Sequence, residues 1–390
     1  MTALAGLSLV SLLAWLWLLF LRGGFWRADQ RLAEEGGAER GSWPAVAVVV
    51  PARDEAETIG ATVSSLLSQD YPGPLAVIVI DDGSADGTTG RATEAANGDS
   101  RFHLLPGRPL PVGWTGKLWA VAQGVDVAAT AMPDAEFLLL TDADIVHDGA
   151  NLRRLVGKAA GDNLDLVSLM VRLRCESFWE KLLIPAFVFF FQKLFPFAWV
   201  NSARKSTAAA AGGCMLVRRA ALEAAGSIAA IRGRLIDDCA LAALLKGQGR
   251  IWLGLASKTI SLRRYDRLSG IARMVARTAF EQLGNSAALL AGTLAGMIVL
   301  YAVPPAALVV GLVAGDLPMA IFGGLGWAAM TVAYSPIVRL YRLSLPRAAA
   351  LPIAAVLYAV FTLESARRTW RGEGGAWKGR SYRGGVPGKG

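Results

Sequence analysis

Three short acidic strings stand out along the chain: Asp81-Asp82, followed by Gly83-Ser84; Asp142-Ala143-Asp144; and Asp237-Asp238. An Asp-x-Asp at the end of a strand presents carboxylate oxygens to a hard divalent cation, and that cation can bridge the phosphates of a ligand. The pattern is therefore that of a diphosphate site. Each string alone is also what ordinary structure carries. Solvated loops contain Asp-x-Asp, Asp81 to Ser84 would make an Asx turn, and Asp237-Asp238 before the helical run Cys239 to Lys246 could act only as an N-terminal cap. Their joint order along the chain is what points to chemistry. Other chemistries lack their residues. Cys175, Cys214 and Cys239 show no CxxC spacing and the only histidines are His103 and His147, which argues against a zinc site, a disulfide framework or a Ser-His-Asp centre.

The elements that must position these acids can be read from hydrophobic patterning. Ala45 to Val50 is a continuous apolar run ended by Pro51, as in a strand buried on both faces. A helical stretch from Glu57 to Leu67 follows, then strands at Leu75 to Ile80, near Arg101 to Leu105, and at Phe137 to Leu140. The alternation argues an α/β fold with a doubly wound, mostly parallel sheet, in which ligands bind at the carboxyl ends of the strands. Arg53, Asp54 and Glu55 then follow the first strand, Asp81 and Asp82 the second, and Asp142 and Asp144 the fourth. No GxGxxG follows the first strand and no GxxxxGK[ST] occurs, so a dinucleotide fold of the usual kind and a P-loop are disfavoured.

Composition places this domain on a membrane. The 390 residues are 54% hydrophobic and only 18% charged, which argues against both a plain soluble protein and a disordered one. The net charge of +9 reads as juxtamembrane positive charge, with no nucleic-acid partner expected. Ala3 to Leu21 carries no charge and precedes Arg22, Arg27 and Arg31, so residues 1–22 read as a retained anchor and 23–44 as a linker. The soluble domain is expected over 45–285, and a C-terminal membrane region over 287–363 with apolar segments Ala287 to Ala314, Leu317 to Val338 and Ala348 to Leu363. A basic tail occupies 364–390. The positive-inside rule puts the middle domain in the cytoplasm and the protein, multi-pass, in the inner membrane. The last segment, about 16 residues, falls short of the 20 or so that span, so it is expected to be re-entrant or interfacial, leaving the tail on the same side. The aromatic stretch Phe178 to Trp199, interrupted by Pro185, Gln192, Lys193 and Pro196, is expected to lie in the headgroup region; a buried helical hairpin of the soluble domain is the alternative.

With these residues in order, the chain resembles glycosyltransferase family 2, of the Rossmann-like GT-A fold. The family's apolar strand followed by PxYNE looks like Val48 to Glu55, with Arg53 and Asp54 in place of Tyr and Asn; VDDGSxDxT resembles Ile80 to Thr88; a GKxxAL-like segment resembles Gly116 to Val121; and the DxD resembles Asp142 to Asp144. Gly212-Gly213-Cys214-Met215 resembles the small-residue strand beside the acceptor, and Asp237-Asp238 the acidic pair whose second member is the catalytic base. Within the family the chain is most similar to the hopanoid-biosynthesis-associated (hopene-associated) branch, through Gly113 to Lys117, Leu139 to Asp144 and Arg273 to Phe280. The QxxRW signature of processive members is not matched: Arg277 fits its Arg, but Met274 and Thr278 occupy the Gln and Trp positions, which puts polymer synthesis in doubt.

The resemblance implies an inverting, metal-dependent transfer of a sugar from a nucleotide-sugar donor, UDP-linked by family preference, to a membrane lipid acceptor, a hopanoid or another polyisoprenoid. Asp238 would be the base, raised by its neighbour Asp237. Asp144 and Asp142 would hold Mg2+ or Mn2+. Pro51, Arg53, Asp54, Glu55, Asp81, Asp82, Lys117, Asp142 and Arg277 would line the donor. Arg273 and Arg277, four apart, equally suit anionic lipid headgroups or a solvated face. Two other readings stay open: a nucleotidyltransferase on a related fold, and a non-catalytic membrane scaffold that keeps a sugar-nucleotide-binding fold.

Overall fold

A computed structural model describes residues 3–33 and 42–372, together with the backbone of 376–377 and 380–381. The chain divides into two units, one made of Met1–Asp29, Cys175–Ala198 and Tyr265–Gly375, the other of Gln30–Arg174, Trp199–Arg264 and Ala376–Gly390.

The second unit is built on an eight-stranded sheet: β1 (Ala45–Ala52), β2 (Leu75–Asp81), β3 (Phe102–Pro106), β4 (Ala135–Thr141), β5 (Ile145–Val146), β6 (Leu166–Arg172), β7 (Cys214–Arg218) and β8 (Ile251–Ser261), in the order β3-β2-β1-β4-β7-β6-β8-β5. The first four in that order run parallel, and their residue runs are the four read from the sequence. Val46 to Val50 are wholly buried, as a strand covered on both faces requires. Pairing with β4 stops at Val49, so Pro51, with no N–H to donate, loses no ladder bond on that side. The helix Gly116–Ala131 lies so close to β1 that a Cβ at Gly124 would stand 2.3 Å from Val49 Cγ1. The remainder of the sheet is mixed: β7 runs antiparallel to both β4 and β6. That reversal pairs Cys214 with Thr141 and brings the start of β7 to the end of β4, beside Asp142. The expected linker is more than a tether, because Arg31 bridges Leu255 and the Leu255 amide donates to the Gln30 carbonyl at 2.7 Å; residues 34–41 lie outside the described set.

The first unit holds four helices long and apolar enough to cross a membrane: Ala3–Leu21, Ala287–Ala314, Leu317–Leu340 and Leu345–Trp370. One packing detail shows how an apolar solvent constrains them. The Leu300 carbonyl would accept from residue 304 in an α-helix or 305 in a π-helix, and both are proline. The Trp15 indole N–H supplies the bond instead, at 2.8 Å, as a hydrocarbon environment demands of any freed backbone group. Gly311 and Gly323 let the helices Val303–Ala314 and Leu317–Leu340 approach to backbone contact, with a Cβ at either meeting the neighbouring backbone at 2.5 Å.

Two expectations change here. The segment expected to be short and re-entrant at Ala348 to Leu363 belongs to a 26-residue stretch, Leu345–Trp370, long enough to cross. The helix does not end at its first charge because Glu364 pairs along it with Arg367 and Arg368, so charge and helix coexist. The stretch at Phe178 to Trp199, expected at headgroup level, groups by contacts with the membrane helices up to Ala198. Phe178–Leu194 is one helix running through Pro185, with Ser177 and Glu180 forming a capping box, and Phe197–Val200 is a short helical turn after it. Phe189 is fully buried against Phe25 and Tyr334, Phe190 packs on Tyr301 and Tyr358, and the Tyr358 hydroxyl donates to the Leu183 carbonyl at 2.9 Å. By contacts, Cys175–Ala198 and Tyr265–Gly375 group with the membrane helices, whereas the expected soluble domain, 45–285, includes the first of these and the start of the second.

Candidate active site

The loops after β1 and β2 hold each other. Asp54 adopts a left-handed backbone (φ 50°), unusual for a non-glycine residue. Its amide donates to Ser84 Oγ at 2.9 Å and its Oδ1 accepts from the Ala85 amide at 2.9 Å. The Glu55 amide donates to Thr88 Oγ1 (2.8 Å), the Ala56 amide to Asp86 Oδ2 (3.0 Å), and the Arg53 guanidinium to the Asp82 carbonyl. The side chains expected at the donor thus serve first to fix one loop on the other. Asp81 differs. It is buried, its Oδ2 accepts from the Ser84 amide at 3.2 Å, and among the described residues its Oδ1 has no hydrogen-bond partner. A buried carboxylate oxygen left in that state is an acceptor awaiting a donor group.

A second cluster forms where β4, β7 and two helix N-termini meet. Lys117, in the first turn of Gly116–Ala131, places Nζ 2.9 Å from Asp142 Oδ1 and 3.1 Å from Asp237 Oδ2. The Gly212 amide donates to Asp238 Oδ2 at 3.0 Å, and the Cys239 amide to Asp238 Oδ1 at 2.7 Å. A Cβ at Gly212 would stand 3.3 Å from Lys117 Nζ and 3.5 Å from Asp238 Oδ2, so a larger residue would press on both. Pro51, Lys117, Asp142, Gly212 and Asp237 line a small cavity with an apolar floor that includes Met215 and Leu241. The helix is Asp237–Lys246 with Ile236 at its N-cap and no side-chain capping bond, so the two acids lie in its first turn and the pure capping role is set aside.

Electrostatics separate these groups. Burial and the adjacent Asp237 push Asp238 up to about 6, against the pull of Lys117 and of the two amides. Burial alone would lower Lys117, but Asp142, Asp237 and Asp238 hold it protonated far above the ordinary lysine range. Burial and the neighbouring Asp144 raise Asp142, opposed by Lys117. A carboxylate near 6 beside a permanently charged ammonium can take up a proton near neutral pH.

Asp144 is buried, and its Oδ2 accepts from Arg263 Nε at 2.9 Å and from Ser261 Oγ at 3.1 Å. Arg263 also reaches Glu55 Oε1 at 2.5 Å, tying the Asp-x-Asp to the loop after β1. Among the described residues no three His, Cys, Asp or Glu side chains converge as a metal cage. Asp142 and Asp144 nevertheless supply hard oxygen donors of the kind Mg2+ or Mn2+ accepts, a shell that diphosphate oxygens and water would complete. The donor chemistry fits.

The sequence reading brought Asp142, Asp237, Asp238 and Lys117 forward, and the structure gathers them. Arg277 follows the helix Leu268–Ala276 in the other unit, exposed, one turn beyond exposed Arg273. Arg263 and Ser261 were missed. The same strand-end rule would have marked them, since Ser261 ends the long strand β8 and Arg263 stands two residues beyond it. His147 is structural. Asn151 Nδ2 donates to its Nδ1 (2.9 Å), which assigns the remaining N–H to Nε2, facing Thr141 Oγ1 (2.9 Å); that hydroxyl donates to the Gly213 carbonyl (2.7 Å). Burial lowers His147 to about 4, so it stays neutral while bracing the Gly212-Gly213 turn.

A half-parallel sheet with acids at successive strand ends, and a reversed strand carrying glycine against the Asp-x-Asp, is the GT-A fold of the nucleotide-sugar glycosyltransferases. Residues 47–226 match the model of Glycosyl transferase family 2. It is 36% identical over 107 residues to an N-acetylglucosaminyltransferase of Mesorhizobium japonicum (27% of this chain, 23% of that protein). It is 32% identical over 117 residues to an N-acetylglucosaminyltransferase of Bradyrhizobium elkanii (30% of this chain, 59% of that protein). Those matches span less than two thirds of either relative. Among solved structures, the mannosyltransferase PcManGT from Pyrobaculum calidifontis, in complex with GDP-Man and Mn2+, shares the fold at a TM-score of 0.55 and 21% identity, over 92% of this chain and 99% of that one.

Proposed function

We propose that the protein is an inverting, metal-dependent glycosyltransferase that moves a sugar from a nucleotide-sugar donor to a hydroxyl of a membrane lipid. The observation that carries this is the convergence of Lys117, Asp142, Asp237 and Asp238 on Gly212 at the carboxyl end of β4. Asp238 accepts the proton of the acceptor hydroxyl as that oxygen bonds to the anomeric carbon and the bond to the diphosphate breaks, its electron pair leaving with the diphosphate. Asp237 keeps Asp238 basic enough to do so, and Lys117 holds Asp142 and Asp237 in register while placing a fixed positive charge beside the developing negative one. The Asp81 oxygen receives a hydrogen bond from the base or ribose of the donor. A Mg2+ or Mn2+ held by Asp142 and Asp144 would supply Lewis-acid neutralisation of the leaving group.

The lipid acceptor is supported by the four helices long enough to span and by the resemblance to the hopene-associated branch, which makes a hopanoid or another polyisoprenoid the first acceptor to try. The buried packing of Phe189 withdraws the support that an interfacial aromatic belt would have given. The names of the relatives make UDP-N-acetylglucosamine the first donor. The purified protein in membranes, given labelled nucleotide sugars and a lipid extract, should place label in the lipid fraction, read by mass spectrometry, and lose it with EDTA. Label found only in free sugar or a soluble product would overturn the lipid reading.

Basic residues after the first helix support a cytoplasmic sheet domain at the inner membrane. A reporter fused after Leu283 should be active only inside. A second reporter at Gly390 counts the crossings that follow: two put the tail inside, three put it outside.

A further inference from the structure

The four cations that gather at the far end of the Asp237–Lys246 helix have no counterpart among the acids. A cleft of about 410 Å³ lies there, lined by Arg204, Lys205, Lys246 and Arg250 together with Asn201, Ser202 and Ser206, and no carboxylate lines it. Its volume falls within the range of roughly 300–1,000 Å³ typical of small-molecule sites. Lys246 spends its ammonium on the carbonyls of Trp199 (3.3 Å), Val200 and Ser202 (3.1 Å), which holds the 199–202 turn in place and leaves the charge uncompensated. Arg250 donates to the Asp162 carbonyl at 2.9 Å, again a neutral acceptor. Lys205 stands over the Trp199 ring at 5.5 Å, and the exposed Arg204 guanidinium has no side-chain partner among the described residues. At the active site the opposite holds: Lys117 and Arg263 each sit between two carboxylates. Four positive charges around one concavity with no internal counter-ion repel one another, and an anion entering the cleft relieves that repulsion.

The geometry points to a second ligand site in this cleft, one that takes a phosphoryl group through Arg204, Lys205 and Arg250, with Ser202 and Ser206 as further hydrogen-bonding groups. Guanidinium forks and serine hydroxyls match phosphate oxygens. The site is separate from the catalytic pair: the helix between them has ten residues, about 15 Å at 1.5 Å per residue, with Asp237 and Asp238 at its first turn and Lys246 at its last. It is therefore not where the donor diphosphate reacts. The phosphoryl group can come from a lipid headgroup or from a free phosphate, and the chemistry of recognition is the same.

The test uses the full chain in detergent, wild type against Arg204→Ala/Lys205→Ala/Arg250→Ala, with Lys246 untouched because it holds the turn. Calorimetric titration with inorganic pyrophosphate forms one arm. The other is native mass spectrometry of retained phosphatidylglycerol against phosphatidylcholine. Wild type should bind at least one of the two probes, more weakly as salt rises, and the triple variant should lose roughly tenfold or more in that binding. Donor-sugar affinity should stay within about twofold, which also reports that the variant is folded. Loss in the pyrophosphate arm alone identifies a soluble phosphate, and loss in the lipid arm alone identifies a headgroup. Binding that is equal in wild type and variant in both arms, or absent from both, overturns the site. The two binding arms do not depend on the glycosyltransferase reading; only the donor-affinity control rests on it, and a thermal unfolding midpoint matching wild type reports folding where no donor binds.

Discussion

The two halves of the candidate site are built by different physics. After β1 and β2, hydrogen bonds from backbone amides to side chains of the facing loop dominate: Asp54 with Ser84 and Ala85, Glu55 with Thr88, Ala56 with Asp86, with Asp81 Oδ1 buried and without a hydrogen-bond partner among the described residues. Around β4 and β7 the contacts are charged and titratable: Lys117 between Asp142 and Asp237, and Asp238 raised beside them. Loops tied to each other by amide-to-side-chain bonds hold their surface in one arrangement, which suits recognition of a donor. A cluster that shares charge is poised to move a proton. The division assigns binding to the first half and chemistry to the second, and substitutions can break or sharpen it.

The largest effect is expected at Asp238. Asp238→Asn should cut turnover by about 10³-fold while donor affinity stays within a few-fold, because a base acts on the acceptor. Turnover that survives would erase the distinction between the halves. Next comes the pH profile. Asp238 must be deprotonated to accept a proton, so kcat/KM should fall as pH drops through about 6. Lys117 pulls Asp238 downward, so Lys117→Met should move that acid limb to higher pH as well as slowing turnover, and a limb that stays in place would remove Lys117 from the charged half.

A smaller effect belongs to the binding half. Asp81→Ala should weaken donor binding by about tenfold, the worth of one hydrogen bond to a buried charged group, with turnover at saturating donor nearly unchanged. If kcat falls instead of affinity, Asp81 belongs to the chemistry. The smallest effect concerns His147, which braces the turn between the halves. Its folded pKa near 4 lies below the free value of 6.5, so the unfolded chain binds the extra proton and stability should decline as pH falls from about 6.5 toward 4. His147→Asn, followed by thermal unfolding across that range, should flatten the decline.

The sequence alone placed much of this. Strands covered on both faces must be apolar throughout, so β1, β2 and β4 were visible as Val- and Leu-rich runs, and the polar residues just past them marked the ligand edge. The order of Asp81-Asp82, Asp142 to Asp144 and Asp237-Asp238 was legible for the same reason. Three matters lay outside its reach. Arg263 could be marked as a strand-end residue, but its partners lie 119 and 208 residues away, a distance no local pattern records. The direction of β7 cannot be read from its five residues, because a buried strand looks alike either way round; only its antiparallel pairing with β4 puts Gly212 against Asp238. Helix length at the last apolar segment was the third. Counting apolar residues stops at the first charge, Glu364, whereas the helix continues to Trp370 with Glu364 paired to Arg368 and Ser365 and Ala366 buried against neighbouring helices, and that packing is a tertiary quantity.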